Sequence, residues 1–123
     1  MSKPILVLDF DGVVHSYTSK WKDAKTITDD PTPGFFEALA DYLDHFDVQI
    51  FSSRSHQDGG IRAMQEWLSY HSAFQGFGGL VHHIGFPQVK PPALVGLDDR
   101  VLTFTGVWPT VEELRAFRPW NKR

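Results

Sequence analysis

Asp9 and Asp11 stand one residue apart at the end of an apolar run, Ile5-Leu6-Val7-Leu8, and Gly12 follows them. Packing has little use for two acids there, whereas chemistry does. Carboxylates on a rigid frame offer the oxygen ligands that Mg²⁺ prefers. One of them can attack phosphorus and carry an aspartyl-phosphate. The other, two residues along, can protonate the leaving oxygen and later activate water. The same pattern recurs further on. Val48-Gln49-Ile50-Phe51 runs into Ser52-Ser53-Arg54-Ser55, and Leu94-Val95-Gly96-Leu97 runs into Asp98-Asp99-Arg100, with Lys90 between them. A hydroxyl and an ammonium are a natural pair for phosphate oxygens.

These groups serve one task only if the chain brings them together. Short apolar runs ended by turn signals read as buried strands of a parallel sheet. In such sheets ligands gather beyond the carboxyl ends of the strands, where Asp9, Asp11, Ser52, Ser53, Asp98 and Asp99 would all converge. Between the strands the period changes. Phe35, Phe36, Leu39, Tyr42, Leu43 and Phe46 follow helical spacing after Pro33-Gly34, and Ile61, Met64, Trp67 and Leu68 make a second amphipathic helix from about Gly60 to Tyr70. Thr110 with Glu113 is a capping box opening a helix from Val111 to Phe117. A weak strand is expected around Leu80 to Ile84, and a last one from Val101 to Phe104. Strands alternating with helices predict an α/β fold, a three-layer α/β/α sandwich with a parallel sheet and right-handed crossovers.

Composition agrees with one soluble domain spanning residues 1–123. At 123 residues, 41% of them hydrophobic and 22% charged, the chain can bury a core without staples. It has no cysteine, which removes disulfides, thiolate metal sites and a Cys nucleophile. No apolar run approaches a membrane span and the N-terminus does not resemble a signal peptide, so a cytoplasmic protein is expected. The net charge of −3 argues against a broad basic face, though Arg115, Arg118, Lys122 and Arg123 with Trp120 form a basic tail.

Asp9-Phe10-Asp11-Gly12-Val13 resembles the first motif of the haloacid dehalogenase superfamily, whose members transfer phosphoryl groups through an aspartate. Ser52 is similar to its second motif, Lys90 to its third and Asp98-Asp99 to its fourth, in the same order over residues 5 to about 104. Small phage-type members share the Ser-Ser-Arg-Ser and Leu-Asp-Asp-Arg segments. The resemblance implies a Rossmann-like sheet and a Mg²⁺-dependent phosphatase with Asp9 as nucleophile and metal ligand. Asp11 would be general acid/base and hold the metal through its backbone carbonyl. It further implies that Ser52, or Ser53 in its place, binds the phosphoryl group and that Lys90 neutralises charge. Asp98 would ligate metal directly, and Asp99 through water or in its stead. Ser16 to Pro33 is too short for a large cap domain, so the site is expected to be open to phosphorylated small molecules or a nucleic-acid end.

Other polar residues have plainer readings. His15 could contact substrate but is expected as an exposed loop histidine. Arg54 could reach phosphate or leaving group. His82-His83 would point to opposite faces of a strand and so not form a metal pair. Two further function classes compete: a receiver-like signalling domain, in which the order of acids and Lys is wrong, and a catalytically silent phosphate-binding protein. A 3′-phosphatase or a nucleotide phosphatase is the alternative within the enzyme class.

Overall fold

The computed structural model describes residues 3–91, 95–97 and 104–116. Its elements run β1 (Ile5–Leu8), α1 (Phe35–His45), β2 (Asp47–Ile50), α2 (Gly60–Phe74), a 3₁₀ turn (Leu80–His83), β3 (Val95–Leu97) and α3 (Val111–Ala116). The strands form a three-stranded sheet in the order β2-β1-β3. Both pairings are parallel: Leu6 faces Val48 on one side and Val95 on the other, and Leu8 faces Ile50 and Leu97. The protein is therefore α/β with a small parallel sheet.

The central strand explains its own sequence. Leu6 and Leu8 are fully buried, and Val7, on the opposite face, is 5% exposed. A strand covered on both faces carries a continuous apolar run rather than an alternating one. β2, by contrast, alternates, with Val48 and Ile50 buried and Asp47 exposed. α1 buries Phe35, Phe36, Leu39 and Tyr42, which recur at helical spacing, and α2 buries Met64, Trp67 and Leu68 on one stripe. All of these except Val7 join one apolar cluster with Phe10, Val13, Val14, Phe46, Ile84 and Leu114. Each fully buried Leu or Phe contributes about 1.5–3 kcal/mol relative to exposure.

α3 begins at the expected capping box. The Thr110 N–H donates to Glu113 Oε1 at 3.1 Å, and the Glu113 N–H donates to Thr110 Oγ1 at 3.1 Å. α2 runs one turn beyond the expected Tyr70, ending at Phe74.

The strand expected at Leu80–Ile84 is not formed. Leu80–His83 is a 3₁₀ turn entered through Gly79 at φ 99°, and only Gly85 reaches the sheet, bridging Gln49 in parallel. The Ile50 N–H donates to the Gly85 carbonyl at 2.9 Å, and the Gly85 N–H to the Val48 carbonyl at 2.9 Å. A Cβ on Gly85 would stand 3.0 Å from the Gln49 side chain, so the close approach suits glycine. Glycines before the segment and Pro87 after it leave too little extended chain for a ladder. His82 and His83 are both exposed on this turn, not on opposite faces of a strand. The last strand expected from Val101 lies outside the described residues up to 103, and Phe104 is not in a strand.

Candidate functional site

β1 is the strand from which the order reverses, with β2 added on one side and β3 on the other. The crevice at such a reversal is where ligands bind in open parallel sheets. Asp9 is the first residue past this strand and is partly buried, and its Oδ1 accepts the Phe10 N–H at 2.8 Å. The chain then turns tightly. The Phe10 carbonyl accepts N–H groups from Val13, Val14 and His15 at 3.2, 2.9 and 2.9 Å. Gly12 sits at φ 84° with open space where a Cβ would stand, so this position asks for glycine because of its backbone angle and not for room.

The turn delivers Asp11 to two buried partners. Arg54 Nε donates to Asp11 Oδ1 and Oδ2 at 3.2 and 3.0 Å, and Nη2 donates to Oδ1 at 3.1 Å. His15 Nδ1 lies 2.9 Å from Oδ1. The Asp29 N–H donates to the other ring nitrogen, Nε2, at 3.2 Å, which leaves Nδ1 as the nitrogen that carries hydrogen to Asp11. Burial pushes the Asp11 carboxyl up, but hydrogen bonds from His15 and Arg54 and the Arg54 charge outweigh it. The group is held below its ordinary range, as a carboxylate.

His15 is thus a correction to the sequence reading: it is 1% exposed, not an exposed loop residue. Phe10 stacks on its ring, and Trp67 and Tyr17 meet it edge-on. Trp67 in turn donates through Nε1 to the Asp29 carbonyl at 3.0 Å, tying α2 to the same loop. Arg54 is fully buried as well. Both side chains face Asp11 from within the fold.

Arg54 reaches inward because of the loop that carries it. Ser52 is buried; its hydroxyl accepts the Arg54 N–H at 2.9 Å and lies 3.8 Å from Met64 Sδ. Its own N–H donates to Ser55 Oγ at 3.0 Å. Such side-chain to backbone bonds bend the chain sharply after β2. Gly60, at the start of α2, lets the helix pass close: a Cβ there would stand 1.9 Å from the Arg54 carbonyl oxygen. The remaining guanidinium nitrogen, Nη1, donates to the carbonyls of Asp23, Ala24 and Thr26 at 2.8, 3.0 and 3.2 Å. One arginine thereby joins the acid after β1, the loop after β2 and the flap of residues 16–33.

Ser53 is exposed, and so is Lys90, in the irregular chain after Pro87. Lys90 takes no part in the network around Asp11. Asp98 and Asp99 lie outside the described residues, as does the tail from residue 117. Among the described residues no group of three or more His, Cys, Asp or Glu is placed to hold a metal ion. The Asp9 carboxylate and the backbone carbonyl of Asp11 are by chemical type hard oxygen donors, of the kind Mg²⁺ accepts. No helix among the described residues is long and apolar enough to cross a membrane.

The residues that sequence reasoning missed here are Asp29, Trp67 and Ser55, and their signals are faint. Only the Ser-x-x-Ser spacing from Ser52 to Ser55 hints at one of them. No family model matches this chain, and comparison with curated proteins and with solved structures yields no match either.

Proposed function

We propose that this protein is a Mg²⁺-dependent phosphomonoesterase of the haloacid dehalogenase type, with Asp9 as nucleophile and no large cap over the site. The observation that supports it best is the position of Asp9, one residue past the central strand at the point where strand order reverses. In this reading the small sheet is the heart of a three-layer, Rossmann-like sandwich, and the protein works in the cytoplasm. Asp9 attacks the phosphorus of a monoester, the bond to the leaving oxygen breaks, and the phosphoryl group passes to the Asp9 carboxylate. Water then cleaves this acyl phosphate, releasing inorganic phosphate and restoring Asp9.

Asp11 serves as the proton shuttle: protonated, it gives its proton to the leaving oxygen in the first half, and as the carboxylate that Arg54 and His15 favour it takes one back from the attacking water in the second. Ser52, Ser53 and Lys90 are the candidates for the phosphoryl oxygens. The Asp9 carboxylate and Asp11 carbonyl would hold Mg²⁺ together with Asp98 or Asp99, and the bound ion would offset negative charge on the phosphoryl group. A silent phosphate-binding protein is the second reading, favoured by the firm grip of Arg54 on Asp11, which opposes the acid half of the cycle.

One assay separates them. Wild type and Asp9→Asn are compared on an aryl phosphate with and without Mg²⁺, and the wild-type protein is examined for a phosphorylated Asp9 by rapid-quench mass spectrometry. The expected result is a metal-dependent rate that falls at least about a hundredfold in Asp9→Asn. Equal rates, or a rate indifferent to Mg²⁺, would overturn the enzyme reading.

A further inference from the structure

The flap carries features that the hydrolytic centre does not use. Trp21 is 41% exposed, although its ring packs over the buried Arg54 guanidinium with Cζ 4.6 Å from the ring centroid. The same Cζ lies 5.8 Å from the Phe10 ring, so Arg54 contacts one aromatic ring in the core and one at the surface. The chain around Trp21 is basic. Lys20, Lys22 and Lys25 are exposed within six residues, against the single acid Asp23. In a chain of net charge −3 this segment is a local exception.

The segment is also held in shape. Arg54 Nη1 binds the three carbonyls of Asp23, Ala24 and Thr26. Ser19 donates to the Asp29 carboxylate through its N–H at 2.8 Å and its hydroxyl at 2.6 Å. On either side of Ser19, Tyr17 and Lys20 hold left-handed backbone angles, φ 64° and 65°. Non-glycine residues keep such angles only where their surroundings impose them. The result is an indole braced on a cation beneath, part of its surface in water, and flanked along the chain by exposed lysines, of which Lys20 holds its ammonium 5.8 Å from the Tyr17 ring centroid. Flat heteroaromatic rings stack on such a surface, and lysines neutralise phosphates beside it.

We propose that this flap binds a nucleotide unit, its base stacked on Trp21 and its further phosphates near Lys20 and Lys22, so that an ester phosphate is presented to the end of β1. The unit is either a free mononucleotide or the end of a strand. The proposal rests on the phosphatase reading for the fate of that phosphate, but the binding itself does not require turnover.

Binding is therefore measured first, by calorimetry on the full chain carrying Asp9→Asn, in Mg²⁺. The probes are deoxyadenosine 3′-monophosphate, a hexadeoxyadenylate ending in a 3′-phosphate, and glycerol 2-phosphate as a ligand without a base. The nucleotides are expected to bind at least tenfold more tightly than glycerol 2-phosphate. Trp21→Ala should weaken them by about 5- to 150-fold, the range of a base–aromatic stack, and Trp21→Phe should recover most of that. An oligonucleotide that binds more tightly than the mononucleotide, with an affinity that falls as salt rises and falls less in Lys20→Gln/Lys22→Gln, assigns the strand end. Equal affinity assigns the free nucleotide. If Trp21→Ala unfolds, the Phe and Gln variants carry the decision. Nucleotides that bind no better than glycerol 2-phosphate, or that are indifferent to Trp21, overturn the proposal. Turnover of glycerol 2-phosphate by the wild type is scored separately. A protein that hydrolyses it but ignores bases keeps the phosphatase reading and loses the flap site, and one that binds nucleotides through Trp21 yet hydrolyses nothing does the reverse.

Discussion

Arg54 and Asp11, 43 residues apart in sequence, meet side by side in the fold, with Nε 3.0 Å from Oδ2 and Nη2 3.1 Å from Oδ1. The arginine is fully buried and the aspartate side chain is only 15% exposed, so the pair is largely withdrawn from water. Breaking it strands a charge. Arg54→Met should lower stability by about 3–5 kcal/mol, the usual consequence of removing one partner of a buried ion pair. Arg54→Lys should recover only part, because an ammonium cannot serve both the carboxylate and the three flap carbonyls. Urea unfolding of the variants measures both, and a loss within error for Arg54→Met would show the pair to be dispensable.

The same pair makes stability depend on pH. In the folded protein Asp11 titrates below its ordinary value, so the unfolded chain binds its proton first as pH falls. Its contribution is complete above the ordinary carboxylate pKa of about 4 and is lost below it, as pH drops through the lowered folded value. Asp11→Asn should therefore be less stable than wild type at pH 7, with the difference shrinking below about pH 4. Parallel unfolding profiles for the two proteins across that range would contradict this.

A leaving-group series tests the shuttle assigned to Asp11. An aryl phosphate departs with little help from a proton, whereas an alkyl phosphate needs one. Asp11→Asn should cost about 10²- to 10⁴-fold in kcat on glycerol phosphate and clearly less on an aryl phosphate. Equal losses on both esters would make Asp11 a positioning group only.

Two glycines near the site differ in what they tolerate. Gly12 has a left-handed backbone and open space around it, so Gly12→Ala should cost about 1–2 kcal/mol from conformation alone. Gly60 has an ordinary backbone angle, but its Cβ would press on the Arg54 carbonyl, which is main chain and cannot rotate away. Gly60→Ala should cost about 1–3 kcal/mol or more through overpacking and should also disturb the Arg54–Asp11 contact. The signature is a changed pH profile of stability in Gly60→Ala and an unchanged one in Gly12→Ala.

Far from the site, the Tyr42 hydroxyl donates to the Pro109 carbonyl at 2.5 Å and ties α1 to the chain entering α3. Burial, with Glu113 and Asp41 nearby, raises its pKa well above the usual phenol value. Tyr42→Phe should lower the unfolding free energy by about 1 kcal/mol and leave any turnover unchanged. A loss several times larger would mean that the bond orders more of this region than its two partners.

What was legible in the residues was local. The run Ile5–Leu8 is central because it has no polar alternation, and α1 follows from apolar spacing. The start of α3 could be read from Thr110 and Glu113 because a capping box is complete within four residues. The parallel sheet followed from strands that need crossovers, and with it the placing of Asp9 and Ser52 beyond neighbouring strands. Leu80–His83 misled because an apolar stretch between glycines suits either a strand or a turn. The sequence by itself thus determined the period of β1, α1 and α2 and the start of α3, since those depend on neighbours along the chain, but not the end of α2 or the turn at Leu80–His83. Only the tertiary structure decided where the polar side chains would turn. His15 went inward to an aromatic box and Arg54 to an acid 43 residues away, because a buried charge takes whichever partner packing brings within reach.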